Sequence, residues 1–411
     1  MIMGHLIHNS SALRSCLLTC YSWYMAAAPQ LHHNFTIYAS QRDSRWLRYI
    51  RHKHTLGLLP LVNTVSIKLG GFSPKTFRRD TLGRFLTLTN VQNLKIDRLD
   101  IPSFIPRIRE HFGPFLPTLR SLDLFEPTGS NHQIVFFVGL FQHLQNLSLS
   151  LDYPTFHKSE PEGLELIPPF SPPLRGRLRV NHWIKTNLFQ HMVHQFGGIR
   201  FSAMTLYEAN ETRLLLRACA KTLRVLRFSL SDPLGEQFYP EHAQPQANNL
   251  VAKSALLHFD LSWNKSLCKL ELPVISVDTA FQDGSHDTAS RFLKRVLSTI
   301  QSPIFSQVEL IYQEHSFYPG HTVNYSPFGS VLREDTLCYR SRFKVLREAR
   351  KVRNFQLVLL VYYQERRSRD VWRMLKEDLA AEKARGGFDD LFPEPSVTFT
   401  LTWFELSSMY L

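Results

Sequence analysis

Leu119-Arg120-Ser121-Leu122-Asp123-Leu124 and, a short gap later, Leu144-Gln145-Asn146-Leu147-Ser148-Leu149 share one rhythm: apolar, two arbitrary residues, apolar, one arbitrary residue, apolar. Towards the N-terminus it recurs at Val62/Val65/Ile67 and Val91/Leu94/Ile96. Towards the C-terminus it recurs at Phe201/Met204/Leu206, Leu223/Leu226/Phe228, Leu267/Leu270/Leu272 and Phe305/Val308/Leu310, and a weaker copy at Leu178 and Val180 keeps only the last two positions. From Val65 to Leu226 the middle residues follow one another at steps of 22 to 31 residues; the steps to Leu270 and Val308 widen to 44 and 38 and contain insertions.

The last two apolar residues of each copy lie two apart, so on a short strand they point to the same face, while the first turns inward from the preceding corner. One such strand cannot cover its own apolar face, and stacking neighbours buries a continuous core. Apolar residues at helical spacing fall between the copies, predicting helices within 43–56, 76–88, 131–141, 183–196, 211–220 and 287–301. A strand followed by a helix, repeated, predicts an α/β fold of the irregular solenoid kind, with parallel strands plus helices. The proline-rich stretch 153–175 and the segments 232–254 and 312–335 read as insertions into a stack spanning 41–338, and 339–411 as its α/β end.

The rhythm resembles the leucine-rich-repeat family over roughly residues 57 to 311. The chain departs from that family where an Asn or Cys is usual, three positions past the last leucine: Pro127 follows Leu124 there and Asp152 follows Leu149. A buried Asn ladder is therefore not expected.

Residues 1–40 read differently. Asn9 and Ser10 can cap a helix carrying Leu13, Cys16 and Leu17, and Ser22-Trp23 opens a second helix that Pro29 is expected to end. The string Asn9 to Trp23, followed by Pro29-Gln30-Leu31-His32, resembles the second half of an F-box, with the chain as a whole similar to the F-box-like proteins numerous in fungi. The Leu-Pro opening and full first helix of that family are missing, only Ile2 to Ile7 standing in their place, so the motif reads as N-terminally truncated. The resemblance implies that Leu13, Cys16, Leu18, Cys20, Trp23 and Leu31 help bind the Skp-type adaptor of a cullin ubiquitin ligase. Read from the residues alone, the alternative is that Leu13, Cys16, Cys20 and Trp23 simply cap the exposed first repeat.

At 411 residues, 44% hydrophobic and 20% charged, the chain can bury a large core. Five scattered cysteines do not form a disulfide framework, and no signal peptide or apolar run of spanning length is expected, which suggests a cytoplasmic or nuclear protein with no membrane association. No phosphate loop, dinucleotide glycine pattern, nucleophile elbow or kinase signature occurs, so a non-catalytic interaction protein without cofactor or metal is expected. Cys16 and Cys20 lack a second cysteine pair, and His191 and His194 lack a third ligand; solvent-facing histidines are expected there. His32, His33, His52 and His54 form a cluster that could titrate near neutral pH.

If the strands line a concave face, the residues beside the inward pair point outward. This assigns Lys95, Asp97, Asp123, Phe125, Arg177, Arg179, Tyr207, Arg227, Lys269 and Glu271 to a partner-binding surface. Its mixed charge suits a protein target better than a phosphate backbone, which would favour one sign along the groove. The expected function is thus a substrate receptor of a Skp-cullin-F-box ligase, monomeric outside that complex. The alternatives are a repeat protein with no ubiquitin role and, given the net charge of +13, a nucleic-acid binder using its basic helices.

Overall fold

The computed structural model describes residues 10–38, 58–68, 88–105, 112–151, 174–181, 188–195, 198–206, 212–228, 260–274, 296–315, 352–363 and 397–405, with single positions at 109, 377, 381 and 384. The chain divides into two compact units, Met1–Phe201 and Ser202–Leu411. Each is an α/β arrangement of parallel strands, every strand paired with the next in sequence.

In the first unit the strands are β1 (Asn34–Tyr38), β2 (Thr64–Lys68), β3 (Asn93–Asp97), β4 (Ser121–Phe125), β5 (Asn146–Ser150) and β6 (Leu174–Asn181). Their register aligns Phe35, Val65, Leu94, Leu122, Leu147 and Leu178 in one row and Ile37, Ile67, Ile96, Leu124, Leu149 and Val180 in another. The rhythm read from sequence is therefore a spatial row of neighbours. Leu122 and Leu124 are fully enclosed, and the corner residues Val62, Val91, Leu119 and Leu144 are buried beside the rows. At about 1.5–3 kcal/mol for each enclosed aliphatic or aromatic side chain, the rows are what hold successive strands together.

Short helices fill the other side: α1 (Ser10–Leu17), α2 (Tyr21–Leu31), α3 (Ile101–Phe104), α4 (Asn131–Gly139) and α5 (Leu188–Gln195). α4 touches both α3 and α5. It starts where Ser130 Oγ accepts from the Gln133 N–H (3.3 Å) while Gln133 Oε1 accepts from the Ser130 N–H (2.8 Å), so two donors that the helix cannot pair internally are satisfied. Below it Phe137 meets Phe112 and Phe141 edge-on, with ring centroids 5.0 and 5.4 Å apart.

The second unit runs through β7 (Ile199–Leu206, entering from the first unit), β8 (Val225–Phe228), β9 (Lys269–Val274), β10 (Gln307–His315), β11 (Asn354–Tyr363) and β12 (Val397–Glu405), with α6 (Thr212–Ala218) between β7 and β8. Met204, Leu226, Leu270, Val308 and Phe355 form its row. Asn264 Nδ2 donates to the Leu216 carbonyl at 2.9 Å, tying one turn to the next.

One main-chain device recurs at the strand entrances. A single carbonyl accepts two successive N–H groups of the following strand: His33 from Asn63 and Thr64, Asn63 from Gln92 and Asn93, Gln92 from Arg120 and Ser121, Arg120 from Gln145 and Asn146. In the second unit Arg224 and Cys268 do the same. At the strand exits the position usual for a repeat Asn holds buried Leu99 and Pro127. Main chain links the turns instead: the Arg98 N–H donates to the Phe125 carbonyl and the Glu126 N–H to that of Ser150, both at 2.7 Å. Arg98 and Glu126 are left-handed (φ 58° and 46°), and their side chains pair at 2.7 Å.

Several expectations need correction. The parallel ladder takes in Asn34–Tyr38, which the sequence reading grouped with the helices of 1–40. Pro29 does not end the second helix: α2 continues to Leu31, because a proline in the last turn forfeits only one hydrogen bond. The insertion read as 153–175 gives up its last residues to β6, and the one read as 312–335 gives up 312–315 to β10. The predicted helices at 131–141, 183–196 and 211–220 appear as α4, α5 and α6, and of the one at 287–301 residues 296–299 are helical; the one at 43–56, and all of the one at 76–88 except Leu88, lie outside the described residues.

Candidate functional site

The outward face of each ladder is set by the same alternation that builds its core. In the first unit the rows between the apolar ones are Ser66, Lys95, Asp123, Ser148 and Arg179, and Lys68, Asp97, Phe125, Ser150 and Asn181. The face thus brings together six of the residues singled out from sequence. Lys95, Phe125, Arg177 and Arg179 are exposed, while Asp97 and Asp123 are half-buried. Asp97 Oδ1 is enclosed without a hydrogen-bond partner among the described residues, and Arg98 Nε lies 3.9 Å from it. Burial pushes the Asp97 carboxyl above the usual carboxylate range, with Arg98 acting against it.

β6 breaks the pattern of its neighbours. In β2 to β5 the corner position, three residues before the row residue, is a buried Val or Leu. In β6 that position is Arg175, which is exposed, and Leu174 takes the buried corner instead. Gly176 makes this switch: it sits at φ +89°, and a Cβ there would lie 1.9 Å from the Gln145 carbonyl oxygen. Only a residue without a side chain permits both the left-handed turn and this approach to β5. The result is Arg175, Arg177 and Arg179 exposed at alternate positions of one strand. The sequence reading omitted Arg175, because it stands at the corner position, where the rhythm assigns an inward residue.

In the second unit Lys269 and Glu271 share the outward face of β9, and Glu271 lies in register with Arg227 of β8 and Glu309 of β10. Lys269 Nζ donates to Glu271 at 2.9 Å and also to Glu309. Burial alone would pull the ammonium down, but the hydrogen bonds and charges of Glu309 and Glu271 outweigh it and hold Lys269 above its ordinary 10.5. Glu309 was missed from sequence, though its place between Val308 and Leu310 is the same outward one. Tyr207 lies outside the described residues.

The residues resembling an F-box fall into two groups. Leu13, Cys16 and Ala27 form the buried contact between α1 and α2, with Leu17 and Leu31 packed against it. Leu18, Cys20 and Trp23 face outward, Leu18 with 88% of its surface exposed, next to Tyr21 at 76% and Met25 at 53%. Of the histidine cluster, His32 occupies the corner position of β1, where burial lowers its pKa, and His33 is exposed; His52 and His54 lie outside the described residues.

Among the described residues, no cluster of three or more His, Cys, Asp or Glu is placed to hold a metal ion, and no helix is long and apolar enough to cross a membrane. His194 is exposed as expected, whereas His191 is half-buried and packs against His132, the rings tilted by 52° with centroids 4.0 Å apart. No protein-family model matches the chain, and no curated protein matches it in sequence.

Proposed function

We propose that the chain is a non-catalytic receptor: a divergent leucine-rich-repeat stack whose outward strand face holds a protein target, joined to a Skp-type adaptor of a cullin ubiquitin ligase through its N-terminal helix pair, in the cytosol or nucleus. One observation carries this reading. α1 and α2 close on each other through Leu13, Cys16 and Ala27 yet leave Leu18, Tyr21, Trp23 and Met25 on the outside. Exposed apolar groups gain about 25 cal/mol per Å² when covered, so several of them close in sequence on a closed helix pair are suited to a partner. The same strands carry a mixed-sign face, as a protein target requires.

Co-purification of the full chain with a Skp-type adaptor is the test. Capture that is lost in Leu18→Asp and Tyr21→Asp, with the melting temperature unchanged, supports the receptor. If the adaptor is ignored and removal of residues 1–32 makes the rest of the chain insoluble, the helix pair is a cap and the protein is a repeat scaffold with no ubiquitin role.

A further inference from the structure

We infer that the outer edge of β12 pairs antiparallel with the β12 of a second copy of this chain, making a two-fold dimer in place of the monomer expected from the sequence. The inference goes beyond the receptor reading and does not depend on it.

β12 stands last in the strand order: it runs parallel to β11, and among the described residues no strand pairs with its other side. That side presents main-chain N–H and C=O groups at alternate residues, a template for another strand. The apolar rows of the second unit also end there. Val308, Phe355 and Val397 stand in one register row and Leu310, Leu357 and Phe399 in the next, and in a repeat stack each such row is continued by the strand that follows. Edge strands of native sheets are commonly short, or carry lysine or proline that turns pairing away. β1, at the opposite end of the order, has five residues. β12 has nine, Val397-Thr398-Phe399-Thr400-Leu401-Thr402-Trp403-Phe404-Glu405, with neither lysine nor proline among them.

This stretch is complementary to itself. In a two-fold antiparallel pair centred on Leu401, that residue stands opposite its own copy, Thr400 opposite Thr402, Phe399 opposite Trp403 and Val397 opposite Glu405. Aromatic and threonine pairs of this kind stabilise antiparallel strands, and the single charge of the strand never meets its like. An axis normal to the sheet keeps odd positions opposite odd ones, so the inner rows run on into the second copy. Such a contact uses the same patch on both chains and closes at two. Pairing β12 with β1 of another copy would instead continue the parallel ladder without end, and would leave four of the nine residues of β12 unpaired.

Sedimentation velocity on the full chain, from about 1 to about 100 μM, tests the contact, and the mass should rise from one chain to two and stop there. Thr400→Lys combined with Thr402→Lys sets ammonium groups opposite one another across the axis and should weaken dimerisation by about tenfold or more. Thr400→Glu with Thr402→Glu should do the same, and mixing the two variants should restore a dimer with one chain of each, because each ammonium then meets a carboxylate. Amide exchange in the parent reads the contact without any substitution: protection across 397–405 should rise as the dimer fills. A parent that stays monomeric throughout, masses that climb past two chains, a lysine variant that dimerises as the parent does, folded lysine and glutamate variants that fail to join, or β12 protection that ignores concentration would each overturn the inference.

Discussion

The outward faces of the two strand ladders use charge in opposite ways. On β9 and β10, Lys269 is clamped between Glu271 and Glu309 and largely withdrawn from solvent; on β6, three arginines stand in water at alternate positions. Both ladders rest on the same apolar rows, so the difference is not imposed by the core. The one face pairs a half-buried ammonium with two carboxylates of the sheet itself, while the other presents its guanidinium groups to solvent, where charge pairing is worth little.

Four substitutions can break or sharpen this contrast. The largest effect is expected from Gly176→Ala, which forces a Cβ onto the Gln145 carbonyl oxygen in a left-handed conformation; a loss on the order of 3 to 4 kcal/mol in denaturant unfolding should follow. A denaturant-unfolding curve matching the parent's would show that the strand does not depend on this approach.

Glu309→Ala should cost about 1 to 3 kcal/mol, because Lys269 loses one of its two acceptors while remaining half-buried, whereas Arg177→Gln on the other face should stay within about 0.5 kcal/mol. The pH dependence carries a sign. Lys269 has a folded pKa above its ordinary 10.5, so its contribution is complete below that pH and is lost as pH rises through the folded value. The alkaline decline in stability should therefore be shallower in Glu309→Ala, and an identical decline in both proteins would remove the clamp from the account.

The smallest effect is a gain. Asp97 has a raised folded pKa, so its ionised form costs stability at neutral pH and that cost is relieved as pH falls through the folded value. Asp97→Asn should stabilise by up to about 0.5 kcal/mol at neutral pH and lose this advantage in acid, as read by urea titration at both pH values.

How much of this was legible in the sequence follows from where the three-then-two rhythm is intact. Val65, Leu94, Leu122 and Leu147 were placed correctly because their corner, row and second residues are all apolar, and those strands lie side by side in the expected register. β1 went unread because its corner is His32, and β11 because the copy Val352/Phe355/Leu357 merges into the continuous apolar run that follows it. Arg175 was hidden by the converse: it occupies a corner position, where the rhythm assigns an inward residue, and only the backbone conformation of Gly176 turns it out. Glu309 needed no special geometry, only the same alternation applied one strand further. The division of the N-terminal six into Leu13, Cys16 and Leu31 inside and Leu18, Cys20 and Trp23 outside depends on how two helices cross, which no periodicity within either helix fixes.

The shared carbonyl at the strand entrances has a consequence for how such a chain can change. His33, Asn63, Gln92, Arg120, Arg224 and Cys268 do the same job with unrelated side chains, since it is their main-chain oxygen that accepts the next strand, while the N–H of Asn63, Gln92, Arg120, Arg224 and Cys268 donates to the turn before. These junctions therefore set few demands on the side chain beyond excluding proline, and the chain between one junction and the next can lengthen, as it does before Cys268, while the splice itself stays the same. A new loop can be tried without re-engineering the frame that carries it.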